Sequence, residues 1–312
     1  MGFDFLVGCT GFVGSNLTLQ HQFSGMYHSR NIEVAFGGKP DLLVYAGVRA
    51  EMFLANRTPA ADRALIDQAI ENIRRIDPKE IVLISTVAVY PEPRDVTESS
   101  LIAESSGTAY GKNRRALEMW VESNVKRHLI LRLPAIYGEN MKKNFLYDFI
   151  HVIPGLLQKK KFEELAQNAP VLRSYYEAWE NDFFRCKQLT REETLELKGV
   201  FQKLGFTALN FTDSRSAYQF YPLKYLWKHI CFARENNLSY LNLVPPPIRV
   251  SEVFASLTGG VFCNELNGKP YDYDVKTKHS ELFNSDVGYI MSREEEMKEI
   301  GAFVAEKTAN GA

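Results

Sequence analysis

Three glycines near the N-terminus constrain the fold of this chain more than any other feature of the sequence. Gly8, Gly11 and Gly14 follow a short apolar run over residues 3–7 and precede a segment of helical character over residues 15–20. Glycine permits a tight turn, lets the backbone approach a ligand and allows a helix to pack closely on a strand. The unpaired N–H groups and the positive end of the helix dipole suit a diphosphate.

Strand, glycine turn and helix in this order therefore predict a dinucleotide-binding turn, the alternative being a turn with incidental glycines. The residues predicted to line the dinucleotide at this turn are Gly8, Thr10, Gly11, Phe12, Val13 and Gly14.

Solid apolar strands alternate with helices through the first half of the chain. Buried strands are predicted at 41–47, 80–86 and 128–133, with a further short strand near 25–29. Helices are predicted over 59–76 and 109–125, each with its apolar residues on one face. This alternation is typical of a parallel sheet whose two faces are both covered. The predicted fold class is therefore α/β, a Rossmann-type parallel sheet with helices on both faces and a smaller, mainly helical C-terminal substrate-binding region.

The character of the sequence changes after about residue 138. Residues 1–140 are predicted to form a dinucleotide-binding Rossmann domain, and residues 141–312 a substrate-binding region with some segments returning to the Rossmann sheet. Residues 145–205 carry few strand signals and are predicted to be helical. Short strands are predicted within 201–221 and 238–244, and helices over 249–257 and 292–307.

Composition excludes several classes of protein. The 312 residues carry a formal net charge of −1, so neither nucleic acid nor an anionic membrane is indicated as a partner. No apolar run approaches the ~20 residues that span a bilayer, and the N-terminus lacks the basic segment of a signal peptide, which predicts a cytoplasmic protein. The four cysteines and six histidines show no ligand spacing, so neither a disulfide framework nor a metal is assigned.

Five segments, in order and spacing, resemble the extended short-chain dehydrogenases/reductases, the NAD(P)-dependent nucleotide-sugar epimerase/dehydratase group. They are VGCTGFVGS at 7–15, LVYAGV at 43–48, ISTVAVY at 84–90, YGKNRRALE at 110–118 and LRLPAIYG at 131–138. The resemblance covers residues 3–145 firmly and the remainder loosely. It implies an oxidoreductase or epimerase that binds NADP or NAD and acts on a nucleotide-activated sugar, in a pathway such as polysaccharide biosynthesis.

The resemblance also implies catalytic roles for three residues. Tyr110 would exchange a proton with the substrate while a hydride moves to or from the nicotinamide, and Thr86 would polarise the reacting oxygen. A tyrosine of ordinary pKa, about 10, is a poor base at neutral pH and needs a nearby cation. The family has a lysine four residues after the tyrosine, whereas this chain has Arg114, which can stabilise a phenolate but does not release its own proton. Arg114 therefore either contacts the cofactor or is an ordinary solvated charge.

The cofactor is predicted to extend along the ends of the strands. Ala46, Gly47, Ser85 and Pro134 are further predicted cofactor-binding residues, together with Tyr110 and Arg114. An acidic residue that would hold the ribose 2′-hydroxyl is not evident, and the sequence His28-Ser29-Arg30-Asn31 stands where it is expected. Arg30 beside Ser29 favours NADP, although a truncated loop with a poorly held adenine is the alternative.

The substrate side departs from the family at one position, because Ala135 replaces an expected asparagine. Lys143 and Asn144 resemble the segment that borders the sugar nucleotide, and Arg215 and Gln219 offer a guanidinium and an amide for phosphate and hydroxyl groups. Val87 directly after Thr86 argues against a dehydratase, which tends to have an acid there. The family also forms homodimers, often through the tyrosine-bearing helix. The alternative to an enzyme is a catalytically degenerate NADP(H)-binding regulatory or sensor protein of the same fold.

Overall fold

The computed structural model describes residues 2–103, 107–180, 182–285 and 287–309, which form two compact units. The first unit lies within residues 1–141, 217–248 and 272–299, and the second within residues 142–216, 249–271 and 300–312. None of the described helices is long and apolar enough to cross a membrane.

The strands are β1 Asp4–Val7, β2 Gly25–Tyr27, β3 Leu42–Tyr45, β4 Glu80–Thr86, β5 Arg94–Val96, β6 Arg127–Leu133, β7 Ala135–Tyr137, β8 Leu156–Gln158, β9 Tyr176–Trp179, β10 Phe183–Cys186, β11 Ala217–Tyr218, β12 Phe220–Pro222, β13 Tyr240–Asn242, β14 Ile248–Arg249 and β15 Asp274–Val275. The α-helices are α1 Phe12–Thr18, α2 Met52–Arg57, α3 Pro59–Ile76, α4 Ala109–Asn124, α5 Phe145–His151, α6 Lys159–Asn168, α7 Leu172–Tyr175, α8 Arg191–Leu204, α9 Leu226–Glu235, α10 Val250–Thr258 and α11 Arg293–Ala309. Short 3-10 helices cover Ile32–Ala35, Val87–Val89, Ala208–Phe211, Leu223–Tyr225 and Ser280–Phe283.

A six-stranded sheet in the order β13-β6-β4-β3-β1-β2 forms the centre of the first unit, and all of its neighbouring strands are parallel. The predicted α/β class with a Rossmann-type parallel sheet is thereby confirmed. The strand order reverses at β1, which pairs with β2 on one side and β3 on the other. In open sheets of this kind ligands bind beyond the carboxyl ends of the strands, at the point of reversal.

Both faces of the sheet are buried, which explains why its strands are continuous apolar runs. Side chains alternate between faces along a strand. In β1, Leu6 packs with Leu17 on one face, whereas Phe5 and Val7 pack on the other face with residues of α3 such as Ile66. Each fully buried Leu, Ile or Phe side chain contributes roughly 1.5–3 kcal/mol to folding.

The connection between the glycine turn and β3 is short. The 27 residues between Gly14 and Leu42 hold the rest of α1, the short strand β2 and a 3-10 helix over Ile32–Ala35. A parallel crossover needs a dozen or more residues, so a further strand and helix do not fit into this length. The sheet therefore ends at β2, in agreement with the short strand predicted near 25–29.

The second unit has its own core, built around Leu157, Phe162, Leu197 and Phe201. The prediction that residues 145–205 are helical was wrong in part, because β8, β10 and β9 form a three-stranded antiparallel sheet there. These strands have three or four residues each, too few for an alternating pattern to be recognised. Their aromatic residues, among them Tyr176 and Phe184, favour pleated structure once they can pack on a neighbouring strand.

Several other helices and strands have bounds close to those predicted from the sequence. Helix α3 and strand β4 have the predicted bounds, α4 ends one residue before its prediction, and α10 and α11 lie where helices were predicted. Strand β13 returns to the main sheet beside β6, as predicted for residues 238–244.

Candidate functional site

The glycine turn brings three segments of the first unit into close contact. Gly8 has a φ of +92°, and a Cβ at this position would lie 2.4 Å from the carbonyl oxygen of Ala46. A Cβ at Gly14 would lie 2.0 Å from the carbonyl oxygen of Gly8. Real carbon and oxygen atoms do not approach so closely, so both positions require glycine if the end of β3, the turn and α1 are to pack as they do. A Cβ at Gly11 would meet a single atom within 4 Å, the Gly8 carbonyl oxygen at 3.3 Å.

The residues of the turn fit the anionic part of a dinucleotide. Helix α1 begins after Gly11, which supplies no capping side chain, and the first turn of the helix carries no acidic residue. The first N–H groups of a helix have no acceptor within the helix and carry a partial positive charge. Phe12 and Val13 pack their side chains against the core, whereas Thr10 is exposed. Phe12 and Val13 are thus suited to contribute backbone N–H groups rather than side chains.

The end of β2 lies directly beside this turn. The carbonyl of Tyr27 accepts the N–H of Gly8 at 2.7 Å and the N–H of Cys9 at 3.2 Å. The next residues form a turn in which Asn31 Oδ1 accepts the N–H of His28 at 2.7 Å. Arg30 is exposed within it. A cation thus stands where many dinucleotide-binding domains have a carboxylate.

Further predicted cofactor-binding residues follow the ends of other strands of the same sheet. Ala46 and Gly47 follow β3, and a Cβ at Gly47 would lie 2.9 Å from a side-chain methyl group of Val7 at the end of β1. Pro134 joins β6 to β7. Because the strands are parallel, these residues and Thr86 share the carboxyl edge of the sheet.

The predicted catalytic residues contact one another. Thr86 ends β4, and Tyr110 and Arg114 lie one turn apart on α4. Tyr110 is buried, and the side chains of Arg114 and Thr86 lie close enough to its phenol to lower the pKa of that group. The guanidinium carbon of Arg114 also lies 4.4 Å from the centre of the Tyr110 ring. The structure thus brings Thr86 close to two side chains of α4 that lie 24 and 28 residues after it in the sequence.

Gly111 allows α4 to approach Thr86 this closely. A Cβ at Gly111 would lie 2.2 Å from the carbonyl oxygen of Ala88, in the 3-10 helix that follows β4. Thr86 Oγ1 accepts the N–H of Ala88 at 3.1 Å and so keeps its own proton available for donation. Thr108 caps the start of α4 by accepting the N–H of Gly111 at 3.1 Å. The helix start is therefore fixed by two independent contacts.

Arg114 is not a solvated charge, because it is 5% exposed and pairs with Asp62 of α3, which is 6% exposed. Its Nη1 and Nη2 each donate to one carboxylate oxygen of Asp62 at 3.1 Å, and Nη2 also donates to the carbonyl of Arg49 at 2.6 Å. Asn113 Nδ2 donates to the same carboxylate at 2.8 Å.

Sequence reasoning missed Asp62, although a signal was present. Asp62 lies on the apolar face of α3, four residues before Ile66, and a carboxylate on such a face requires a partner.

The surroundings of Tyr110 keep it protonated. Burial raises the pKa of its phenol above the ordinary value near 10, and the charge of Asp62 raises it further. Arg114 and the hydroxyl of Thr86 act in the opposite direction without reversing the shift. The phenol of Tyr110 is therefore neutral at neutral pH.

A second network of buried hydrogen bonds joins α4 to β4 and β6. Glu118, two turns after Tyr110, accepts a hydrogen bond from Ser85 Oγ at 2.5 Å and bonds from Arg132 Nε and Nη2 at 3.0 and 2.7 Å. Arg132 Nη1 also donates to the Tyr90 hydroxyl at 2.6 Å. The hydroxyl of Ser85 is thus used to hold α4 on β4, and the predicted contact of Ser85 with a cofactor stays a prediction.

In the second unit, Asn144 caps α5, its Oδ1 accepting the N–H of Tyr147 at 3.0 Å, with φ at +112°. Lys143 precedes it and is exposed. Asp148 on the same helix was not singled out from the sequence, and burial raises its pKa to about 7. Arg215 donates through Nη2 to Asp213 at 2.6 Å and through Nη1 to Glu265 at 2.9 Å.

Gln219 has a structural role in the first unit. It is fully buried, and Nε2 donates to the carbonyls of Pro245 and Val275 at 2.7 and 2.8 Å, while Oε1 accepts the N–H of Val275 at 2.9 Å. Its amide is therefore committed to the backbone. Among the residues that the structure describes, no three His, Cys, Asp or Glu side chains are grouped so that they could hold a metal ion.

Comparison with protein families gives one match. Residues 28–169 match the model described as the NAD dependent epimerase/dehydratase family. The matched segment begins after the glycine turn and includes Thr86, Tyr110 and Arg114. The search of the curated proteins finds no match for this sequence.

Solved structures resemble the chain over almost its full length. The dTDP-4-dehydrorhamnose reductase of Yersinia enterocolitica has a TM-score of 0.62 at 11% identity, with 97% of this chain and 98% of that chain covered. RMD of Pseudomonas aeruginosa, solved with NADPH, has a TM-score of 0.62 at 12% identity, with 98% and 99% covered. The UDP-glucose 4-epimerase of Thermotoga maritima, solved with UDP-glucose, has a TM-score of 0.61 at 12% identity, with 98% and 99% covered. The resemblance that the sequence motifs indicated is thereby confirmed: residues 28–169 match the NAD dependent epimerase/dehydratase family, and the chain has the fold of these reductases and epimerases.

Proposed function

We propose that this protein is an NAD(P)-dependent oxidoreductase or epimerase that acts on a nucleotide-activated sugar. The contact of Tyr110 with Thr86 and Arg114 carries this proposal, because it joins a proton donor to a second hydroxyl and a cation. The three residues belong to the unit that also contains the glycine turn. The names of the reductase and the epimerase with similar folds support a nucleotide sugar as the substrate.

In this proposal the glycine turn, Tyr110 and Thr86 each have a separate role. A bound nicotinamide dinucleotide supplies or accepts a hydride. The turn at Gly8, Gly11 and Gly14 would let its diphosphate approach the start of α1, where the backbone N–H groups of Phe12 and Val13 would hold it. Tyr110 exchanges a proton with the substrate oxygen, and the hydroxyl of Thr86 donates a hydrogen bond to that oxygen.

Arg30 would pair with a 2′-phosphate on the adenosine ribose, so NADP is the favoured cofactor. A guanidinium forms strong, charge-assisted hydrogen bonds with phosphate oxygens. The exposure of Arg30 beside the glycine turn supports this assignment. On the substrate side we propose contacts with Asn144, Lys143 and Arg215. The guanidinium of Arg215 would contact the substrate while it stays paired with Asp213 and Glu265.

The second candidate is an NADP(H)-binding regulatory or sensor protein of the same fold. The engagement of Arg114 with Asp62 and the carbonyl of Arg49 favours it, since donors used within the protein are not free to hold a ribose. An enzyme and a sensor differ in whether Tyr110 is needed for turnover.

Replacement of the Tyr110 hydroxyl separates the two candidates. We expect Tyr110→Phe to lower turnover of dTDP-4-dehydrorhamnose with NADPH, or of UDP-glucose, by about 10²–10⁴-fold, because the proton donor is lost. The affinity for NADPH, measured by calorimetry, should change little. Tyr175→Phe is the matched control, because it removes a hydroxyl that bonds Glu196 in the second unit. Wild-type protein that binds NADPH but turns over neither sugar, or a Tyr110→Phe variant with full activity, would contradict the enzymatic candidate.

A further inference from the structure

We propose that Asn16 and Gln20 tie two strands of the first unit to the dinucleotide turn, so that a bound dinucleotide also restricts the motion of these strands. The strands are β7 and β12. Lys143 and Asn144, which are predicted to contact the substrate, follow β7 in the sequence, and Arg215 precedes β12. The inference rests on the proposed function and assigns positioning roles to two amides that the sequence motifs do not single out.

Asn16 holds the loop that follows β7 on α1. It is 3% exposed, and its Nδ2 donates to the carbonyls of Phe12 and Glu139, both at 2.8 Å. Its Oδ1 accepts the N–H of Glu139 at 3.0 Å. Both protons of the amide are therefore used, and Glu139 is held by its N–H and its carbonyl at once. A Cβ at Gly138 would lie 2.5 Å from Asn16 Oδ1, so glycine is needed for the loop to approach this closely.

Gln20, just beyond the end of α1, holds the segment that follows β12. Its Nε2 donates to the carbonyl of Leu223 at 2.8 Å, and its Oε1 accepts the N–H of Trp227, the second residue of α9, at 3.0 Å. The same Nε2 donates to the backbone carbonyl of Asn16 at 2.7 Å. The two amides are therefore joined to each other as well as to the two segments.

Both contacts act on one pair of strands. Strands β7 and β12 are parallel neighbours, with Ile136 opposite Tyr221. Asn16 holds the residues after the carboxyl end of β7, and Gln20 holds those after the carboxyl end of β12. The strand pair is therefore attached at this end through side chains that bond the backbone.

Asn16 also contacts the dinucleotide turn directly. Phe12 is the first residue of α1; its N–H is proposed to hold the diphosphate, and its carbonyl accepts the amide of Asn16. A ligand that fixes Phe12 therefore also restricts Asn16 and, through it, Glu139. Part of the motion that a second ligand has to remove is then already lost, so the first ligand favours binding of the second. The effect is reciprocal, because the two binding free energies are linked.

Amide hydrogen exchange, followed residue by residue by NMR, tests this link with NADPH as the probe and without any substrate. In the wild type, saturating NADPH should slow exchange over residues 8–14 and also at Glu139 and Trp227, whose N–H groups bond Asn16 and Gln20. We expect at least about fivefold slowing at these two amides beyond that of β10 in the second unit, which reports any general stabilisation.

Single variants separate the two contacts. Asn16→Ala should abolish the NADPH-dependent slowing at Glu139 and retain it at Trp227. Gln20→Ala should do the reverse. A merely structural role predicts a different result, because general loosening of α1 would affect both amides in both variants.

A control and an alternative variant are available in the same chain. Asn236→Ala removes an exposed amide that bonds the carbonyl of Phe232 in the last turn of α9, and it should retain both effects. Gly138→Ala pushes the loop away from Asn16 Oδ1 and leaves α1 unaltered. It should reproduce the effect of Asn16→Ala, and it decides the outcome if Asn16→Ala does not fold.

Slowing confined to residues 8–14 in the wild type, or loss of both effects in either single variant, would overturn the proposal. Absence of slowing at residues 8–14 as well would overturn the proposed function, and this inference with it.

The consequence for the substrate is measured by calorimetry with UDP and dTDP, the nucleotide parts of UDP-glucose and dTDP-4-dehydrorhamnose. Wild type should bind one of them at least about fivefold more tightly with saturating NADPH than without it, and Asn16→Ala should reduce this factor to less than about twofold. Equal factors in the two proteins would overturn the link. A wild type that binds neither nucleotide would contradict the proposed substrate and the coupling to it.

Discussion

At the scale of single residues, the backbone of the glycine turn leaves no room for one additional carbon. The position of a Cβ at Gly14, 2.0 Å from the Gly8 carbonyl oxygen, means that any side chain must push α1 away from β1. The turn and the helix that would face a diphosphate are therefore a single packed feature, and they depend on the same two glycines.

We expect Gly14→Ala to destabilise the protein by about 1–3 kcal/mol, the usual cost of forcing an atom into packed structure. It should also abolish detectable NADPH binding. Urea unfolding gives the first quantity and calorimetry the second. Gly199→Ala is the control, because a Cβ there meets nothing within 4 Å in the middle of α8 and should stabilise the protein by about 0.5–1 kcal/mol. Equal stability of Gly14→Ala and wild type would show that the turn is less tightly packed than described.

Residues of the candidate site differ in how far the sequence predicts them. Tyr110, Thr86 and Arg114 lie in motifs with fixed spacing, so their proximity could be expected. Asp62 could not be placed against Arg114, because the partner comes from another helix and depends on how α3 and α4 pack. Gln219 was expected to contact a substrate, yet its amide bonds the backbone, since a sequence does not reveal which amides are buried.

At the scale of elements, the position of α4 determines whether Tyr110 meets Thr86. Gly111 allows close contact at the start of this helix, and Glu118 ties its middle to β4 and β6 through Ser85 and Arg132. Both contacts act on one helix that carries two candidate catalytic side chains.

Removal of Glu118 should therefore loosen α4. We expect Glu118→Ala to lower the free energy of unfolding by about 3–5 kcal/mol, because two arginines lose their buried counter-ion. Any remaining folded protein should turn over its substrate more slowly. Glu122→Ala on the same helix is the control, since its carboxylate is 46% exposed and lies 3.8 Å from Arg115, and it should cost less than about 1 kcal/mol. Similar losses for the two variants in urea unfolding would contradict the role given to Glu118.

The bounds of the long helix α3 and the long strand β4 were predicted well, whereas the short strands of the second unit were not predicted. The physical reason is the length of the apolar pattern. Helix α3 and strand β4 have enough residues for a complete apolar pattern. Strands β8, β9 and β10 have three or four residues each, and they are stabilised by pairing with one another rather than by a pattern of their own. Such tertiary stabilisation is invisible in a single sequence.

At the scale of the whole molecule, the proposed function requires that a nicotinamide dinucleotide binds at the carboxyl edge of the main sheet. The sequence predicts this edge, because parallel strands place the ends of β1, β3, β4 and β6 together. It does not identify the sugar, because Ala135 replaces an expected asparagine and Arg215 belongs to a segment that resembles the family only loosely.

Calorimetric titration of the full chain with NADPH, NADP⁺, NADH and NAD⁺ shows whether a nicotinamide dinucleotide binds and which one is preferred. We expect one dinucleotide to bind per chain and NADPH to bind more tightly than NADH. Arg30→Ala should weaken NADPH binding about tenfold, or ~1.4 kcal/mol, and leave NADH binding unchanged. Tighter binding of NADH would contradict the role of Arg30. Absence of binding by all four dinucleotides would contradict the proposed function, whereas the fold would stand.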